Sequence, residues 1–581
     1  MAEFHYTSER NVQTIVALLK AYGIKRVIVS PGATNVTFVV SVQFDPFFEV
    51  YSCVDERSAA YMACGMADET GEPVVLSCTG ATSSRNYLPA LTEAYYRKLP
   101  VLAVTSSQES SRLGHLFPQV TDRTAPPRDT ILGSFLLPLV KDDVDLWDCV
   151  IKSNIALSLL TNSSGPVHVN VETRQPRDYF VKELPPVRKI EYSFSHGEFP
   201  AIQEQKIAVF VGSHRVMTQQ EVNAIDLFCE THNAVVLCDQ TSGYYGKYKI
   251  HSALILGQKY LKEGESMKSF DLVIHLGEIS GDYFSGFKAK SIWRVNEDGK
   301  IRDPFRSLSR VFQCTELEFF TRYSAQRKKG CVTLYNTFRD SYERLLQKMP
   351  ELPFSNAFIA KFVSKKLPAN SYVHLGILNS LRSWNLFETP PTVICRSNVG
   401  GFGIDGVLST AIGGSIVRKE HLHFCILGDL SFFYDMNSLG NHHIGDNLRV
   451  LVVNNGRGVE FRTSGHVGDV LHDETDKFIA AAGHFGSKSE LLVKNYATNL
   501  GFDYLCAHNK EEFTREVDKF LSPKRTKPLL FEVFTETVDE AEATRVMRMV
   551  DAPPVSSIIK SQIHSAVGDK VISNIKHIMG R

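Results

Sequence analysis

The sequence predicts an α/β protein made of three doubly wound parallel-sheet domains. Three observations lead there. Short runs rich in valine and isoleucine recur with helical patterns between them, the mark of parallel strands buried on both faces. The rhythm appears three times, with a polar, proline-bearing passage after the first. The chain has 581 residues, enough for three or four domains of ordinary size.

In the first stretch, 1–190, Val12, Ile15, Val16, Leu19 and Tyr22 recur at helical spacing. RVIVS (26–30) then reads as a strand ended by the breaker Pro31-Gly32, and PVVLSC (73–78) and PVLAVTS (100–106) read as further strands. The passage KELPPVRKIEYSFSHGEFP (182–200) reads as a linker. The second stretch, 203–345, repeats the rhythm with KIAVFVG, NAVVLCD and FDLVIHLG. The third, 352–545, repeats it with SYVHLG, TVICRS, HFCILGD, LRVLVVNN and PLLFEVF. Residues 546–581 are mixed in character and read as an arm or a helix lying on a neighbour.

Lys and Arg total 64, as do Asp and Glu, so no net field draws the chain to nucleic acid or an anionic membrane. The start MAEFHYTSER lacks the basic and apolar segments of a secretory leader, and no run of about 18 apolar residues stands out as a membrane span. Eleven cysteines are scattered without a C-x-x-C. The expectation is a cytoplasmic protein with reduced thiols, no zinc ribbon, and no membrane or nucleic-acid partner.

Two strand ends carry unusual groups. HFCILGD ends in Gly428-Asp429 and LRVLVVNN ends in Asn454-Asn455. The 18 residues between Asp429 and Leu448 suffice for a helical crossover, so the two strands can be parallel neighbours with Asp429 and Asn455 side by side at their carboxyl ends. Open α/β sheets bind ligands there. A carboxylate and an amide oxygen suit Mg²⁺, which takes oxygen ligands and shares its octahedron with water and phosphate. Either dipeptide alone is an ordinary turn; together they predict a Mg²⁺–diphosphate seat.

With these residues in place, the chain resembles the thiamine diphosphate (ThDP) enzymes. The pieces that carry the resemblance are SPG (30–32), ERSAAYMACGMA (56–67), CTGATSSRNYLPALTEA (78–94), GIDGVLSTAIG (403–413) and GDLSFFYDMNSL (428–439). They are similar to those of the menaquinone-pathway carboligases, the 2-succinyl-5-enolpyruvyl-6-hydroxy-3-cyclohexene-1-carboxylate synthases, and more distantly to acetolactate synthases. The resemblance implies pyrimidine-binding, central and diphosphate-binding domains in that order. It implies Mg²⁺ held by Asp429, Asn455 and the carbonyl of Arg457, with Leu430 third in the Gly-Asp motif. It also implies a cofactor cradle that includes Thr79, Phe402, Gly403, Gly428 and Ser431, where Phe402 stands at the position of an apolar wedge but also fits core packing. Glu56 is implied to hydrogen-bond the aminopyrimidine from a dry site that raises its pKa; without the resemblance it reads as a first-turn glutamate favouring the helix dipole. Active sites between the subunits of a homodimer or homotetramer are implied as well.

The resemblance points to decarboxylation of a 2-oxo acid and transfer of the acyl carbanion equivalent to an acceptor. The substrate positions depart from the relatives. Thr34, Val399, Gln108 and Ile416 stand where the menaquinone-pathway enzymes carry arginines, whose forks grip carboxylates. The expectation is a shared cofactor with a different, unknown acceptor. Gln119 is implied to lie near the reacting carbons, with a solvent-facing loop glutamine as the alternative. Glu460 stands where those relatives are apolar; it reads as a proton relay or a salt-bridged glutamate facing away. A simple 2-oxo acid decarboxylase, a carbon–carbon hydrolase and a non-catalytic ThDP-fold binding protein stay open as alternatives. His442 and His443 read as surface or packing residues.

Overall fold

The computed structural model describes residues 4–122, 126–282, 286–325, 332–463, 466–482, 489–524 and 526–553. Of the expected C-terminal tail, 546–581, the part from 554 onward lies outside the described residues.

The first sheet holds β1 (Arg26–Val29), β2 (Glu49–Ser52), β3 (Val74–Thr79), β4 (Val101–Ser107), β5 (Ser134–Leu137) and β6 (Val167–Glu172), in the order β2-β1-β3-β4-β6-β5, and every pair is parallel. Its strands show why the apolar runs were unbroken: β3, β4 and β6 are buried at every position. Successive side chains go to opposite faces. Val27 and Val75 pack with Val12, Ile15 and Val16 of the helix Arg10–Ala21. Ile28, Val74 and Leu76 pack with Ala59, Ala60 and Ala63 of the helix Glu56–Thr70.

The central sheet holds β7 (Glu191–Phe194), β8 (Ile207–Val211), β9 (Val235–Cys238), β10 (Lys249–His251), β11 (Ser269–Leu276), β12 (Lys288–Val295) and β13 (Leu308–Gln313), in the order β10-β9-β8-β11-β12-β13-β7. The run from β10 to β12 is parallel. The strand β7 corrects the expected linker over 182–200. Its EYSF pattern sits among prolines and charges, so its polar neighbours masked a half-buried edge strand. The order reverses between β8 and β11, and there the two loops close on each other. The amide of Gly212 donates to Leu276 O (3.0 Å), that of Glu278 to Ser213 O (2.8 Å) and that of Ser213 to Ile279 O (3.2 Å). The approach is tight enough that a Cβ on Gly212 would lie 2.1 Å from Glu278 O.

The third sheet holds β14 (Tyr372–Leu375), β15 (Ile394–Ser397), β16 (His423–Gly428), β17 (Leu448–Asn454), β18 (Asp503–Ala507) and β19 (Leu529–Phe534), in the order β15-β14-β16-β17-β19-β18, all parallel. Three α/β domains built on these sheets match the predicted fold class. Within the third sheet, His374 and His423 stack from neighbouring strands with ring centroids 5.6 Å apart, and both are buried.

The chain divides into two compact units: Met1–Ser193 with Lys300–Val311, and Phe194–Gly299 with Phe312–Arg581. The returning segment of the first unit is fixed by one buried carboxylate. Asp303 accepts from Arg188 Nη2 (2.6 Å), Trp147 Nε1 (3.3 Å) and the amides of Ser307 and Leu308 (2.9 Å each). No helix among the described residues is long and apolar enough to cross a membrane.

Candidate active site

Strands β16 and β17 are parallel neighbours in register Gly428↔Val453, which sets Asp429 level with the Asn454-Asn455 turn. Asp429 opens the short helix Asp429–Asp435, and its Oδ2 accepts the amide proton of Gly456 (3.1 Å). Gly456 makes that turn with φ +79, a conformation natural to glycine. The two asparagines have separate roles. Asn454 Nδ2 donates to Glu532 Oε1 (2.8 Å) inside the sheet. The Oδ1 atom of Asn455 is buried and has no hydrogen-bond partner among the described residues.

Asp429 is 2% exposed, and burial pushes its carboxyl up to about 7. The amides of Leu430, Gly456 and Asp429 itself oppose the rise, while the nearby Glu532 adds to it. A buried carboxylate beside an unmet amide oxygen is the arrangement a hard cation relieves, since the cation supplies the charge and coordination that the fold withholds. No group of three or more His, Cys, Asp or Glu side chains able to hold a metal occurs among the described residues. Two protein side-chain oxygens therefore fit an ion that completes its shell with water and phosphate, as Mg²⁺ does.

Of the other residues expected around the cofactor, Gly428, Leu430, Ser431, Phe402 and Gly403 belong to this sheet, and Thr79 belongs to the first. Ser431 Oγ donates to Ile404 O (2.5 Å), tying the helix to the loop that carries Phe402 and Gly403. Phe402 has φ +53, which is uncommon for an aromatic residue. Gly428 and Leu430 flank Asp429 and are half-buried. The carbonyl of Arg457 accepts the amide proton of Val459 (3.0 Å) and keeps a second lone pair, while its guanidinium pairs with Asp476.

Glu460 lies in the turn Val459–Arg462 beyond this seat, and its Oε2 meets Arg382 Nη2 at 2.5 Å. The salt bridge of the second reading is present, although the glutamate lines a cavity. Arg382 was missed in the sequence because it sits in the helix Asn379–Trp384 with no motif around it, 78 residues from its partner. A second residue that sequence reasoning passed over is Glu540, fully buried in the helix Thr537–Met547. It accepts from Asn356 N (3.0 Å), Asn356 Nδ2 (3.1 Å), Asn379 Nδ2 (3.2 Å) and Thr535 Oγ1 (2.8 Å). It thus joins its own helix to the helix Asn356–Val363 and to the helix that carries Arg382. Burial raises its pKa against these donors.

In the first unit, Glu56 opens the helix Glu56–Thr70, whose N-cap Asp55 accepts from the amide of Ser58 (2.8 Å). Glu56 Oε2 accepts from Asn86 Nδ2 (3.4 Å). The expected dry environment is absent among the described residues of this unit: Glu56 is half-buried, and Val54 (75% exposed), Tyr61 and Met62 beside it are exposed. The surface around the carboxyl is open and mixed, with Asp55, Arg57 and Ser58 exposed beside Val54, Tyr61 and Met62, and no element among the described residues of the unit covers it. Thr79 ends β3 with its Oγ1 buried and unpartnered, as are Ser106 Oγ and Asn35 Oδ1 among the described residues. The backbone at Gly32 comes so close that a Cβ there would lie 2.0 Å from Thr79 Oγ1. Unmet polar atoms thus collect at the carboxyl ends of this sheet as well. Gln119, at φ +63, is exposed, as is His115. His442 and His443 are also exposed, as expected.

Residues 10–125 match the thiamine pyrophosphate enzyme N-terminal TPP-binding domain. The chain is similar to thiamine pyrophosphate enzymes. That similarity extends over nearly its whole length. A 2-succinyl-5-enolpyruvyl-6-hydroxy-3-cyclohexene-1-carboxylate synthase from Bacteroides fragilis is 29% identical over 555 residues, covering 92% of this chain and 98% of the relative. The synthase of the same name from Bacteroides thetaiotaomicron is 29% identical over 571 residues, with the same coverage. That from Flavobacterium psychrophilum is 25% identical over 559 residues, covering 90% and 96%.

Proposed function

We propose that the protein decarboxylates a 2-oxo acid and passes the acyl carbanion equivalent to an acceptor, using thiamine diphosphate and Mg²⁺. The observation that carries this reading is the unmet, buried Oδ1 of Asn455 beside the buried carboxylate of Asp429. Asp429, Asn455 and the Arg457 carbonyl would hold the cation and through it the diphosphate. Gly428, Leu430, Ser431, Phe402 and Gly403 would line the cofactor on this sheet, and Thr79 on the first. Thiamine diphosphate supplies, when bound, the electron sink that decarboxylation requires.

Glu56 is the residue that would hold a proton at the aminopyrimidine. A carboxyl does this best away from water, and the exposed Val54, Tyr61 and Met62 beside it support a second copy of the chain as its cover. A homodimer or homotetramer with active sites between subunits follows from that reading. Gln119 would orient substrate from its exposed loop.

The acceptor differs from that of the similar synthases on this reading. Thr34 is buried and its hydroxyl donates to Ser106 O (2.6 Å), and Val399 is buried. Neither can replace a carboxylate-gripping arginine. The simple decarboxylase gains less support, because Glu460, its candidate proton relay, is engaged by Arg382.

The test is CO₂ release from pyruvate and 2-oxoglutarate with and without thiamine diphosphate and Mg²⁺. Release should require both, and Glu56→Gln should lower it at least 100-fold. Equal rates in wild type and variant would remove the assignment and favour a binding protein without turnover.

A further inference from the structure

The Arg382–Glu460 pair stands in the wall of a cavity of about 360 Å³ within the second unit. The cavity is built from the carboxyl sides of two sheets. Arg382 comes from the helix after β14, Glu460 from the turn after β17, Asp282 from the loop after β11, and Met547 and Arg548 from the end of the helix after β19. Ligands of open α/β sheets bind at such ends. The volume is within the range of small-molecule sites. Glu540 ties three of the contributing helices together, so the wall is formed before anything binds.

Two features of the lining limit what fits. Two guanidinium groups and two carboxylates line it, with Arg382 paired to Glu460, so the formal charges cancel. Much of the remaining surface is apolar, including Leu386 and Met547. The cavity therefore offers no surplus cation to a ligand with several carboxylates, and it places Glu460 and Asp282 near any such ligand. A carbonyl oxygen needs only a donor. His466, also in the wall, accepts the amide proton of Gly468 at Nδ1 (3.0 Å), which leaves the ring proton on Nε2 of the neutral imidazole.

We infer that this cavity receives the acceptor, and that the acceptor is an uncharged aldehyde or ketone with an apolar body; the inference rests on the carboligase reading above. Decarboxylation breaks the C1–C2 bond of the 2-oxo acid, releases CO₂ and leaves the electron pair on the former C2. That carbon bonds to the acceptor carbonyl carbon, the carbonyl π pair moves to oxygen, and the oxygen takes a proton. The product is a 2-hydroxy ketone.

The experiment uses the protein loaded with thiamine diphosphate and Mg²⁺. Benzyl alcohol and succinate serve as unreactive probes in ligand-observed NMR, and benzaldehyde and succinic semialdehyde as acceptors with pyruvate or 2-oxoglutarate as donor. Benzyl alcohol should bind in preference to succinate, and kcat/KM for hydroxy-ketone formation should favour benzaldehyde at least tenfold. Glu460→Leu, which leaves a guanidinium uncompensated, should shrink that preference tenfold or more. Asp282→Asn should act in the same direction and serves where the first variant does not fold. Tighter binding of succinate, binding of neither probe, or a preference unmoved by both variants would overturn the inference. A wild type that releases no CO₂ from either 2-oxo acid removes the carboligase reading instead, and the probe comparison still decides what the cavity accepts.

Discussion

At the end of β8, beside the point where the strand order of the central sheet reverses, the backbone turns into its neighbour. Gly212, Ser213 and Glu278 exchange hydrogen bonds until the crevice is filled by main chain. At the end of β16, beside the corresponding reversal in the third sheet, the backbone leaves room. Asp429 is buried with one backbone donor on its Oδ2, and Asn455 Oδ1 has none among the described residues. Both sheets have the same wound architecture, so architecture does not separate a ligand site from a structural end. The loops do. A site is where polar atoms are left unmet at a cost of about 1–3 kcal/mol each, and the closed crevice is where that cost has been removed.

Four experiments sharpen or break this contrast. The largest effect is expected at the open end. Asp429→Ala should weaken thiamine diphosphate binding in the presence of Mg²⁺ by on the order of 10²–10³-fold, as loss of one partner of a buried charge costs about 3–5 kcal/mol. Titration calorimetry reads this, and EDTA treatment of wild type should have the same effect. Glu540→Ala leaves Asn356 and Asn379 without their shared acceptor, and should lower stability by about 3 kcal/mol in urea unfolding.

The third experiment concerns pH. Burial holds the His374 imidazole down at about 3, with the neighbouring His423 and Arg396 adding to the effect; burial holds His423 down at about 4. Above the unfolded value of about 6.5 both rings are neutral whether the chain is folded or not, and their contribution is fully present. As pH falls below 6.5 the unfolded chain binds protons that the folded rings refuse, so stability is lost progressively down to about pH 4 for His423 and about pH 3 for His374. The loss for the pair at pH 5 should be on the order of 2–4 kcal/mol, and a doubly substituted His374→Phe, His423→Phe protein should show a flatter urea midpoint between pH 7 and 5. The smallest effect is at the closed end. Gly212→Ala forces the β8 and β11 loops apart and should cost about 1–3 kcal/mol while leaving thiamine diphosphate affinity unchanged. A fall in affinity there would mean that the two ends are coupled and the contrast is false.

Much of this was legible in the sequence because burial on both faces leaves unbroken apolar runs; PVVLSC and LRVLVVNN announce β3 and β17 outright. The closeness of Asp429 to the Asn454-Asn455 turn was legible because they end consecutive strands that pair in parallel. The strand β7 was hidden because an edge strand has no need of a continuous apolar run. Arg382 was hidden because its meaning comes from a partner that only folding brings near. The half-open state of Glu56 could not be read from CVDERSAAY, since dryness is a property of what lies over a residue and not of its neighbours in sequence.

The return of Lys300–Val311 to the first unit has a consequence during synthesis. Trp147 and Arg188 are made long before Asp303, the carboxylate that receives both. The 110 residues from 194 to 303 must be translated first, which takes about 6–22 s at roughly 5–20 residues per second. Until then the amino-terminal half leaves the ribosome with a guanidinium and an indole awaiting their acceptor, a window in which a chaperone has something to hold.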